Sequence, residues 1–171
     1  MNEILMPKEG EYAPYYATYI SWLEGQDILE RMIAQIEEVK HHFGAFGEEK
    51  SLLAYAEGKW TPRELLGHII DTDRIMAFRG LCIARGEQAH LPGYDQDLYV
   101  KEGQFNHVPL KVLLDDFEFS RKSIVSLIKT LPESALLRKG VANNVEVSAR
   151  ALFAIIPGHA EHHLQILKSR Y

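Results

Sequence analysis

Along most of this 171-residue chain, apolar residues recur every three to four positions and almost nowhere every two. That is the period of amphipathic helices packed on a core. The first long stripe, over about 27–43, carries Leu29, Met32, Ile33, Ile36, Val39 and Phe43, and Gly44 and Gly47 end it. The second begins at Thr61-Pro62-Arg63-Glu64. Thr61 can cap, Pro62 suits the first helical position and Glu64 completes a capping box. Leu65, Leu66, Ile69, Ile70, Met76, Ala77 and Leu81 continue it to about Arg85. The third, Pro109 to Leu131, is the most regular, with Leu110, Leu113, Leu114, Phe117, Ile124, Val125, Ile128 and Leu131 on one side. The fourth runs from about Ser148 to the C-terminus, and Pro157-Gly158 is expected to kink it.

Shorter features fill the gaps. Residues 1–11 read as an irregular lead-in. Pro14 opens a short helix whose Tyr15, Tyr16 and Tyr19 form an aromatic stripe, read as packing. Between Gly86 and Val108 no period is clear. A connection that long is usually functional or a crossover, and it allows the second and third helices to lie parallel or diagonal. Strand signals are nearly absent, and Gly140 and Asn143-Asn144 mark connectors. The expectation is an all-α single domain, 1–171: a four-helix bundle with one long crossover and short extra helices.

Composition narrows the function. A net charge of −5 with no Lys/Arg run argues against nucleic-acid binding. No stretch approaches the roughly 18 apolar residues of a membrane span. One cysteine, Cys82, precludes an internal disulfide and fits a reducing, cytoplasmic setting. It is read as small-residue packing. The N-terminus lacks the basic and apolar regions of a signal peptide.

Candidate chemistry concentrates on the fourth helix. His159 and His163 are four residues apart and face the apolar stripe about 40° from each other. Two imidazoles turned into a core are either satisfied by hydrogen bonds or hold a metal. His162 falls at the stripe's edge and Glu161 points away from it. A metal needs a further ligand from a facing helix, and His68, bordering the second helix's apolar face, is the best placed. Three histidines would leave a position open for water or substrate, as catalytic zinc sites do. Asp73 projects among apolar neighbours, with Arg74 and Arg79 as local partners, and a carboxylate there is costly unless paired. Asp73 and Asp95 are the candidate catalytic acids. Arg74 and Tyr94 are the candidate substrate-binding residues, on position alone.

Two blocks, Trp60-Thr61-Pro62-Arg63-Glu64-Leu65-Leu66-Gly67-His68-Ile69-Ile70-Asp71 and Gly158-His159-Ala160-Glu161-His162-His163, resemble the DinB-like superfamily, in its bacillithiol-transferase-like, YfiT-type branch. Looser similarity covers Leu91 to Asp95 and Ala142 to Arg150. The resemblance implies a four-helix bundle with a divalent metal, zinc or nickel first, on His68, His159 and His163. It implies thiol S-transferase-like chemistry on a small-molecule substrate, with a low-molecular-weight thiol as co-substrate. A metal-dependent hydrolase and a non-catalytic metal-binding bundle are the alternatives. A homodimer is expected by analogy with the family.

Overall fold

The computed structural model describes residues 2–171, with the backbone alone for Asn2 and Glu3. Met1, part of the expected lead-in, lies outside the described residues. The chain forms α1 (Asn2–Leu5), a 3-10 turn at Pro14–Tyr16, α2 (Ala17–Ser21), α3 (Ile28–Gly44), α4 (Gly47–Lys50), α5 (Pro62–Ala84), α6 (Gln96–Gly103), a second 3-10 turn at Phe105–His107, α7 (Leu110–Lys129), α8 (Glu133–Leu136), β1 (Lys139–Ala142), β2 (Val145–Ser148) and α9 (Ala149–Arg170). The four expected long helices are α3, α5, α7 and α9.

Their ends follow from their caps. Asp27 accepts from the N–H groups of Leu29 and Glu30, and Ser148 accepts from that of Ala151. The Thr61/Glu64 capping box forms in both directions: Thr61 Oγ1 accepts from Glu64 N at 3.2 Å, and Thr61 N donates to Glu64 Oε2 at 2.8 Å. Each side chain thus satisfies an amide that the helix start would leave open.

The core divides into two apolar clusters. One holds Ile28, Met32, Met76, Ile83, Ile124, Ile128, Leu152 and Phe153, with neighbours. The other holds Ile36, Phe43, Leu65, Leu66, Leu113, Phe117, Ala160 and Leu164. Following each helix from one cluster to the other gives its direction: α5 and α7 run one way, α3 and α9 the other. α5 and α7 also pack on each other. Two neighbouring parallel helices need a chain crossover between them, and residues 85–109 supply it. No helix among the described residues is long and apolar enough to cross a membrane.

The boundary between the clusters is polar. Gln35 of α3, Asp73 of α5, Arg121 of α7 and His159 of α9 are all buried there. Arg121 donates to both Asp73 oxygens, through Nε at 2.5 Å and Nη2 at 3.3 Å. It also donates through Nη1 to Gln35 Oε1 at 2.7 Å. Gln35 Nε2 in turn donates to the Pro157 carbonyl at 2.9 Å. Asp73 is therefore paired across the bundle with Arg121, not with Arg74 or Arg79 on its own helix.

Three regions differ from expectation. Residues 2–5 are helical, not irregular. The crossover carries α6 and a 3-10 turn. Residues 139–148 form an antiparallel hairpin whose two-residue loop, Asn143-Asn144, has φ of 50° and 62°. Two positive φ angles in succession are the requirement of the tight turn that matches strand twist, and asparagine tolerates them. The crossover is fastened to this hairpin: Leu91 N donates to Val141 O at 2.9 Å, and Asn143 N to Leu91 O at 3.0 Å. α9 stays helical through Pro157.

Candidate metal centre

α5 and α9 pack closely and bring three imidazoles together. His159 Nε2 lies 3.0 Å from His68 Nε2 and 2.9 Å from His163 Nε2. One nitrogen from each ring falls within a 4.8 Å cluster, and all three residues are buried. His159 and His163 share a face because four residues make about one turn. His68 reaches them from the second turn of α5, whose start Thr61 and Pro62 fix.

Burial sets their protonation. It pushes His68 down to about 4, with a smaller push from His162. It drives His159 and His163 well below the ordinary imidazole value, and the neighbouring rings add to the effect. The rings are therefore neutral at pH 7, and each carries one proton on one nitrogen. The Nδ1 atoms of His159 and His163 are buried and have no hydrogen-bond partner among the described residues. If their protons sit on Nδ1, lone pairs meet at the centre with nothing between them. If they sit on Nε2, His159 can donate to one neighbour only and the Nδ1 acceptors stay empty. Neither arrangement satisfies the set. A divalent cation at the convergence would take up the Nε2 lone pairs that face one another there, because neutral imidazole nitrogens are common metal ligands.

His159 and His163 line a cavity of about 250 Å³ together with Tyr16, Tyr19, Thr72, Arg79 and Tyr94, among others, and His68 stands behind them. Tyr19 and Trp22 arrive from the N-terminal segment. Tyr19 packs on His159 and His162 at centroid distances of 5.8 and 5.2 Å, and Trp22 stacks on His162 at 5.9 Å. Gly158 permits this approach, since a Cβ there would lie 2.4 Å from the Tyr19 carbonyl oxygen. The hydroxyls of Tyr94 and Thr72 pair at 2.7 Å. Burial first, together with nearby Tyr16 and Asp71, holds the Tyr94 phenol above its usual value despite that hydrogen bond. The phenol keeps its proton at neutral pH.

The other sequence candidates lie elsewhere, except one. Tyr94 lines the cavity. Asp73 is fully buried against Arg121 and does not line it. Arg74 makes an exposed ion pair with Asp116. Asp95 caps α6, accepting from Asp97 N and Leu98 N. Glu161 pairs with Arg31 on α3, away from the imidazoles, as its helical angle indicates. Sequence reasoning missed Arg79 and the tyrosines of the N-terminal segment as cavity residues. The stripe Tyr15-Tyr16-Tyr19 was the available signal, but a packed ring and a cavity wall give the same pattern.

The sequence profile of the DinB superfamily matches residues 31–167, and the chain belongs to that superfamily. A protein of Oceanobacillus iheyensis, described as a "putative metal-dependent hydrolase", is 30% identical over 148 residues, or 84% of each chain. Among solved structures, the fold matches that of YfiT from Bacillus subtilis, described as a probable metal-dependent hydrolase with an unusual four-helix bundle topology. The TM-score is 0.76 at 13% identity, covering 95% of this chain and 89% of that one. At that identity the likeness speaks for the fold alone.

Proposed function

We propose that this chain is a metal-dependent enzyme, and that His68, His159 and His163 hold a divalent cation in the wall of the cavity and hydrolyse a small-molecule substrate there. The observation that carries the reading is the convergence of three neutral, buried imidazole nitrogens beside a cavity large enough for a small molecule. A purely structural metal would be closed off by protein ligands. The relative from Oceanobacillus, described as a "putative metal-dependent hydrolase", supports the same class. Imidazole donors suit zinc and nickel, the first candidates, as well as iron and copper.

A divalent cation on three histidines supplies Lewis acidity, polarising a substrate oxygen and lowering the pKa of a coordinated water or thiol. The protein supplies the rest. Tyr94 and Thr72 offer a hydroxyl pair to orient a polar substrate group. The tyrosine wall of the N-terminal segment limits access of bulk water and so strengthens every charge interaction inside. No carboxylate lines the cavity among the described residues, so neither Asp73 nor Asp95 is assigned a proton transfer.

That absence favours a second reading, thiol S-transfer with a low-molecular-weight thiol as co-substrate. A cation held by His68, His159 and His163 would lower a thiol's pKa, so no side-chain base would be needed to deprotonate it. The test has two stages. Elemental analysis of the wild-type protein is expected to give one metal per chain, and His68→Ala to lose it; unchanged metal in that variant sinks the triad. Ester and amide panels, and conjugation of bacillithiol to monochlorobimane, each with and without chelator, then separate hydrolysis from transfer. Turnover that survives complete metal removal refutes both.

A further inference from the structure

Four arginines are buried in this protein: Arg63, Arg79, Arg121 and Arg150. Three have a carboxylate. Arg63 pairs with Glu48, Arg121 with Asp73 and Arg150 with Glu11. Arg79, only 4% exposed, has none among the described residues. Its hydrogen bonds go to the Pro92 carbonyl at 2.5 Å and, weakly, to Met76 Sδ at 3.9 Å. Its guanidinium also lies 5.8 Å from the centre of the Tyr94 ring. These contacts leave most of its five N–H donors unused. Burial lowers its pKa, and the groups opposing that effect are tyrosines, not acids. A buried cation without an anion is costly and uncommon. This one lines the cavity shared with His159 and His163.

We propose that Arg79 is the anchor for a carboxylate on the substrate, so that the site takes a small monocarboxylate whose reacting group lies at the histidine end. This rests on the functional reading above for the role of the histidines, but not for the anion site itself. Arg79 is eleven residues beyond His68 on α5, about 16 Å along the helix. Anchor and reacting group are therefore at different ends of one molecule. Arg79 supplies the single permanent positive charge among the described lining residues. At this end of the cavity one carboxylate balances the guanidinium. The planar guanidinium also matches a carboxylate in geometry.

The test is calorimetric titration of the full chain, zinc-loaded and metal-free. The probes are benzoate and 3-phenylpropanoate, their neutral carboxamides, and phenyl phosphate. At least one carboxylate is expected to bind ten-fold or more tighter than its amide and tighter than phenyl phosphate, and the preference should persist without metal. Arg79→Met should abolish it while leaving amide binding and metal content unchanged. Arg79→Lys should restore part of it, and serves if the methionine variant does not fold. The proposal is overturned if no carboxylate outbinds its amide, if the preference survives Arg79→Met, or if phenyl phosphate binds best. A preference that vanishes with the metal also overturns it, since the carboxylate would then be sitting on the histidines. Loss of metal binding in wild-type protein, with the carboxylate preference intact, would instead refute the functional reading and spare this one.

Discussion

Gly158→Ala sets helix propensity against packing, and the structure says which wins. In an isolated helix alanine is favoured over glycine by about 1 kcal/mol. Here a Cβ on residue 158 would lie 2.4 Å from the Tyr19 carbonyl oxygen and 2.8 Å from both the Tyr19 carbonyl carbon and its Cβ. Ordinary carbon contacts begin near 3.5 Å, so α2 must retreat by about 1 Å. The nearest atoms belong to the backbone and cannot swing aside as a flexible side-chain tip could. Overpacking of this kind costs about 1–3 kcal/mol, and backbone contacts this short belong at the upper end. Complete detachment of α2 would be worse, because Tyr19, Ile20 and Leu23 are all buried and each contributes roughly 1.5–3 kcal/mol. The expected balance is a loss of about 2 kcal/mol, after crediting the propensity gain. For a chain of this length that lowers Tm by about 4–8 °C. Differential scanning calorimetry of the metal-free protein reads it directly. One metal per chain should still bind, since His159 and His163 keep their places on α9. An unchanged or raised Tm would show that α2 does not press on α9 at this point, and the account of how Tyr19 reaches the histidines would fall with it.

Three further outcomes are expected. Zinc affinity should change less than ten-fold between pH 7.5 and 5.5: protons compete for the ligands only near and below their pKa, His68 sits at about 4, and His159 and His163 are shifted in the same direction. Three ordinary imidazoles titrating near 6.5 would lose roughly a thousand-fold at pH 5.5, so a chelator competition showing a loss above a hundred-fold contradicts the neutral, desolvated site. Asp73→Ala should cost about 3–5 kcal/mol by stranding the buried Arg121 guanidinium, and a Tm within 2 °C of wild type on thermal melting would contradict the pairing. His162→Ala should keep one metal per chain, because this ring stacks on Trp22 and stays outside the three-nitrogen cluster, whereas His163→Ala should lose the metal. Equal metal content in the two variants, measured by elemental analysis, would reverse their assignments.

How much of this was legible in the sequence depended on the range of the interaction. The long helices were legible because their signal is local and repeated: a 3.6-residue period, with caps at Asp27, Thr61 and Ser148 that act within three residues. The hairpin was not. Its strands are four residues each, too short for alternation to stand out, and it is fastened by hydrogen bonds to Leu91 in a distant segment. The same limit misassigned Asp73. A reader of the chain sees Arg74 and Arg79 beside it, but its partner is 48 residues away on α7. Arg79 shows the converse. With Asp73 thought to need it, it looked paired, and only the fold leaves it without an acid among the described residues.

The polar layer links these cases. At one level of the bundle α3, α5, α7 and α9 each bury a polar side chain where the apolar stripe would otherwise continue. Singly, each reads as a flaw in a helix or as a catalytic candidate. Joined, Gln35 and Arg121 hold the carbonyls of Pro157 and Ile156, two and three residues before His159. Pro157 itself donates no hydrogen bond to the preceding turn, so this stretch of α9 is where the helix's own ladder is weakest. The side-chain bonds from α3, which packs directly on α9, and from α7 brace that stretch. The Asp73–Arg121–Gln35 network is thus best understood as support for the position of His159, not as chemistry. It also explains why the three imidazoles can be stripped of water: the backbone that carries two of them is held by neighbours that need no solvent to be satisfied.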